Sequence, residues 1–119
     1  LKDKIVNFEG GPSKIKSNLK ILDDLRSVEE SINNFVNINN CPTTSKITYQ
    51  NREATCKTYS PCNRNTEVTL CTIKDGGHTW PGGNYGIDKT WYKKFVGKLS
   101  HDISANDAMW DFFEKHPMK

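Results

Sequence analysis

The sequence predicts an α/β chain: the C-terminal portion of a doubly wound sheet, with a disulfide-braced hairpin attached. Three observations carry that prediction. Asp3 stands at the head of an apolar run, Ile5, Val6 and Phe8, that breaks at Gly10-Gly11-Pro12, and open α/β sheets place functional groups at strand ends. A second β-rich stretch stops at Ile73 and opens into a loop with glycines on both sides of His78. A capped amphipathic helix then closes the chain.

Bulk properties narrow the classes. The chain has 119 residues, of which 34% are hydrophobic, and its mean hydropathy is −0.73. One domain of this size has little apolar material from which to build a core of its own. The composition therefore favours residues 1–119 as a piece of something larger, or else a fold held by cross-links. The net charge of +3 comes from lysines scattered along the chain, not from the concentrated basic stripe that nucleic acid requires. No apolar run approaches the ~18 residues of a membrane span. The sequence opens at Leu1 without an initiator methionine, and the expectation is that upstream residues of the same protein have been removed.

Cys41, Cys56, Cys62 and Cys71 contain no Cys-x-x-Cys and have no histidine among them. Two disulfides in an oxidising compartment are the reading, against free core thiols or a metal site.

The elements follow in order. Leu1–Gly11 reads as the end of a buried strand, and 13–26 as a polar loop with one short helical turn. Ser27 and Glu30 form a capping box ahead of Val28, Ile32, Phe35 and Val36 at helical spacing, predicting a helix over 27–38 that ends at the asparagines before Cys41-Pro42. Ala54–Tyr59 and Glu67–Ile73 flank a turn-forming cluster and read as a hairpin. Folding it about that turn sets Cys56 opposite Cys71 and leaves Cys62 for Cys41. That is the preferred pairing of the three that four cysteines permit.

Trp91, Phe95 and Leu99 recur every fourth residue with lysines between them, a short amphipathic element whose aromatics are expected to pack inward; contact with a polymer or lipid surface is the rival reading. Ser104 caps the last helix with Asp107 at its third position, and Ala108, Met109, Phe112 and Phe113 are expected to line a buried face. His101 and His116 read as solvated or capping residues.

Two residues stand out chemically. His78, taken alone, is either a base with room to reach a substrate or a surface-loop histidine. Asp3, taken alone, is more often a loop hydrogen-bonder than a catalytic acid. Together they form an acid after one strand and a histidine after the next. That is the closing half of the Ser…Asp…His order of α/β-hydrolases.

At these residues a family resemblance emerges. Asp3-Lys4-Ile5-Val6-Asn7-Phe8-Glu9-Gly10-Gly11 resembles the Asp-x-x-Val-x-Tyr-x-Gly-Gly segment of polyhydroxybutyrate depolymerase-like esterases, with Lys4 and Asn7 where prolines are common. Gly76-Gly77-His78-Thr79-Trp80-Pro81-Gly82-Gly83 resembles their histidine loop. Asp102 through Asp107 and Trp110 through Phe113 resemble their closing helix, and the stretch from Thr55 to Ile73 is similar to the cysteine-bearing hairpin of a group that includes feruloyl and acetylxylan esterases.

The resemblance implies a secreted serine carboxylic-ester hydrolase with Asp3 and His78 as the acid and base of its triad. Its substrate would be a polyester oligomer or a plant cell-wall ester, with no metal or organic cofactor. Trp80, two residues from the base, is either a wall of the substrate pocket or a brace for the loop. No Gly-x-Ser-x-Gly elbow occurs in the 119 residues, so the nucleophile is expected upstream and this chain alone is expected to be inactive. The competing reading is a disulfide-stabilised α+β binding module, or a hydrolase relative without activity.

Overall fold

The computed structural model describes residues 1–12 and 25–117, so most of the loop read over 13–26 lies outside the described residues. The elements are α1 (Val28–Ile38), β1 (Lys46–Asn51), β2 (Ala54–Tyr59), a single 3₁₀ turn at Asn63–Asn65, β3 (Val68–Ile73), α2 (Thr90–Val96) and α3 (Ala105–Lys115). The strands form one antiparallel sheet in the order β1-β2-β3. Among the described residues every strand pair is antiparallel; the doubly wound sheet of the sequence reading has no strand pair there.

Both predicted caps form. In α1 the Ser27 hydroxyl accepts from the Glu30 amide, while the Glu30 carboxylate accepts from the Ser27 amide. In α3 the Ser104 hydroxyl accepts from the Asp107 amide. The hairpin also forms as read, with Cys56 and Cys71 as direct cross-strand partners. Disulfides join Cys56 to Cys71 and Cys41 to Cys62. The second of these ties the end of α1 to the hairpin turn, where the Asn63 amide also donates to the Asn39 carbonyl.

The two faces of β2 and β3 carry different neighbours. Ala54 and Cys56 pack with Ile103, Ile73 and Ala108 on one face. On the other, Lys57, Tyr59, Leu70 and Thr72 look toward Phe8 and the Glu29–Asn33 side of α1. The chain between α2 and α3 thus reaches the sheet through Ile103, which sets the position of the histidine loop relative to it.

Three sequence expectations need correction, and one strand was not read at all. Leu1–Gly11 is a series of turns, not a strand end, because the Asp3 carboxylate accepts from the Ile5 and Val6 amides and so diverts the groups a ladder would have used. β1 was not foreseen: all six of its residues are exposed, and it is held by pairing with β2 and by Tyr49 and Asn51 side chains donating to the Asp102 carbonyl. In α2 the aromatics do not pack inward; Trp91 is 65% and Phe95 58% exposed, and Val96 alone is buried. Of the four residues expected to line a buried face of α3, Met109 and Phe113 are likewise exposed, and Ala108 and Phe112 are partly covered.

Candidate active site

The Asp3 turn and the histidine loop meet beside the end of β3. The Lys2 amide donates to the Gly76 carbonyl, which draws the start of the chain alongside the Lys74–Gly77 turn. The carboxylate of Asp3 then divides its two oxygens. Oδ1 accepts from the Ile5 and Val6 amides at 2.8 and 2.9 Å, and Oδ2 lies 2.9 Å from Nδ1 of His78. One oxygen fixes the turn, so the other is held in place for the imidazole.

Burial raises the pKa of the Asp3 carboxyl. The hydrogen bonds from Val6, His78 and Ile5, with the attraction of the imidazole, outweigh that effect and hold it below the usual carboxylate range. An ionised carboxylate has no proton to give, so Nδ1 is the donor of the pair and Nε2 is left as the basic nitrogen. His78 is roughly half exposed and Asp3 mostly covered. The imidazole is thus open to solvent with the carboxylate behind it.

The histidine loop is strapped to the last residue of α2 and the segment after it. The Gly77 amide donates to Lys98, the His78 amide to Val96 at 2.6 Å, and the Gly82 amide to Ser100; the Thr79 hydroxyl adds a bond to the Lys98 carbonyl. This ladder gives Gly77 a reason beyond loop freedom. A Cβ there would run into the Val96 carbonyl and the Gly97 backbone, so only glycine lets the two segments approach. Gly82, at φ +80°, brings the loop against Ser104 at the head of α3 in the same way.

Beside His78 is a hollow of about 370 Å³ lined by Asp3, Gly77, Trp80, Asn84, Tyr85, Tyr92 and others. Trp80 is held on one side and open on the other. It lines this hollow, and its indole Nε1 donates to Asn106 Oδ1 at 2.9 Å, while Pro81 accepts from the Ala105 amide. The first turn of α3 therefore fixes the Trp-Pro step.

Sequence reasoning did not single out Asn106, Tyr85 or Tyr92. Tyr85 serves as a rivet, its hydroxyl donating to the Gly97 carbonyl and accepting from the Leu99 amide. No sequence signal separates Tyr92 from Phe95, its neighbour three residues on along α2, and nothing in the sequence marks Tyr85.

Neither serine near the C-terminus is presented as a nucleophile. Ser100 is buried and accepts from the Asp102 amide, and Ser104 caps α3. The cysteines are all in disulfides, and no cluster of metal-ligating side chains occurs among the described residues. Among the described residues no helix is long and apolar enough to cross a membrane. His116, the C-cap of α3, faces Glu67 at 3.4 Å, and His101 is exposed.

No family model, curated protein or solved structure matches the chain.

Proposed function

We propose that this chain supplies the acid and base of a serine carboxylic-ester hydrolase of the α/β-hydrolase class, active outside the reducing interior of the cell, with the nucleophile on polypeptide beyond these 119 residues. One observation carries the reading: Asp3 and His78, 75 residues apart, stand 2.9 Å apart with the imidazole open to a hollow. The pair matches the needs of acyl transfer. A serine hydroxyl approaching Nε2 would lose its proton to the ring as it attacks an ester carbonyl. Asp3 would hold the tautomer and stabilise the imidazolium, and the ring would return the proton to the leaving alcohol. Two disulfides fit an oxidising compartment. Polyester oligomers and plant cell-wall esters are the substrates that the sequence resemblance suggests.

A second reading, a binding module, draws on the absence of a Gly-x-Ser-x-Gly elbow and on the half-exposed Trp80 locked beside the hollow. A fluorophosphonate probe separates the two. It should label the longer protein on serine and leave residues 1–119 unlabelled. In that longer protein, Asp3→Asn should lower kcat on a p-nitrophenyl ester by about 10⁴-fold with the fold retained, and His78→Ala should lower it at least as far. Full turnover in either variant would contradict the assignment.

A further inference from the structure

From Lys89 to Ser100 the chain carries four lysines and no acid. Lys93 is engaged with Asp88, while Lys89, Lys94 and Lys98 have no ion pair among the described residues. Between those lysines, one turn apart on the same side of α2, lie Trp91 and Phe95, 65% and 58% exposed. The adjoining side is committed inward: Val96 is buried, and Tyr92 lines the hollow at His78. Two large rings are thus left in water in a stretch of chain whose only charges are positive.

We propose that this outer side of α2 is a docking surface for an anionic lipid interface. Indole and phenyl rings gain by leaving water at a headgroup boundary, and lysines around them are drawn to negative headgroups. The charge of the segment selects an anionic surface, and the rings select one with an apolar interior over a dissolved polyanion. α2 has only seven residues, so attachment is peripheral and reversible. Docking would place the hollow, on the inner side of the same helix, next to the interface. The proposal does not depend on the ester-hydrolase reading, because its test measures partitioning alone.

The test is co-sedimentation of the protein with vesicles of pure phosphatidylcholine and with vesicles of equimolar phosphatidylglycerol and phosphatidylcholine. Binding is expected to the mixed vesicles only, with a blue shift in tryptophan emission, and weakening as salt is added. Each of Lys89→Gln, Lys94→Gln and Lys98→Gln should weaken partitioning by about fivefold. The Trp91→Ala/Phe95→Ala double variant should weaken it by roughly tenfold or more, with far-ultraviolet circular dichroism showing the helices retained, because both rings are more than half exposed. Trp110→Ala, equally exposed on α3, should bind as the parent does. Failure to bind mixed vesicles overturns the proposal, as does binding that survives loss of both rings. So does retention on an oligo-dT strand that is lost in the double variant while vesicles are ignored, since that outcome would move the surface to single-stranded nucleic acid.

Discussion

Asp3 makes three hydrogen bonds with two oxygens, and they have separable consequences. Its folded pKa lies below its unfolded value, so the stabilisation from these bonds is complete above about pH 4 and is lost as pH falls through the folded value. Carbon-detected NMR titration should therefore place the Asp3 carboxyl midpoint below that of a model aspartate. Over the same pH range the Ile5 and Val6 amides should lose protection from exchange; protection that persists after Asp3 is protonated would show that the turn stands without it. Asn106 invites a second measurement. Asn106→Ala removes the acceptor of the Trp80 indole, so the Trp80 indole N–H resonance should shift upfield and broaden, with the Trp91 resonance unmoved. An unchanged Trp80 resonance would mean that packing alone holds the ring.

The helices and the hairpin were legible in the sequence because short-range chemistry specifies them. A capping box, a proline after a cysteine and a turn cluster between two β-rich runs each act over a few residues, and α1, β2, β3 and the two disulfides formed where those signals lie. The candidate site was legible as residue types, Asp3 and His78, but the straps that hold it were not. Val96, Lys98 and Ser100 act through backbone carbonyls, which leave no mark on residue identity. β1 and the aromatics of α2 escaped for another reason: alternation and helical spacing predict which residues share a face, not whether anything covers that face. Energetically the elements rest on the signals that were readable. Ser27→Ala should destabilise α1 by about 1 kcal/mol, seen as faster amide exchange through its first turn. Replacing Cys56 and Cys71 with alanine opens a cross-link of sequence separation 15, at a cost of about 3 kcal/mol for a loop of that size, read as a lower urea midpoint. A midpoint that does not move would assign hairpin stability to the β2–β3 ladder alone.

Apolar residues are unevenly satisfied across the molecule. The buried hydrophobics among the described residues are small or medium-sized, Ile5, Val36, Ala54, Cys56, Cys62, Val96 and Ile103, whereas Phe35, Ile38, Met109, Trp110 and Phe113 are all more than 40% exposed. Phe35, Met109 and Phe113 also border one groove, of about 630 Å³, between α1, the edge of β3 and α3. Helices whose apolar faces stay in water gain little from tertiary packing, the main source of helix stability in proteins. The short-range caps and the two cross-links therefore carry a larger share of the fold here than in a domain with a filled core. Residues 1–119 in isolation should accordingly bind anilinonaphthalene sulfonate and unfold in urea over a broad range, and reduction of the disulfides should abolish what transition there is. Adding the polypeptide that carries the proposed serine should suppress dye binding and sharpen the transition, because Met109 and Phe113 would then be covered. A sharp, dye-free transition for the 119 residues by themselves would favour the binding-module reading. It would mean that a small core and two cross-links suffice for an independent domain.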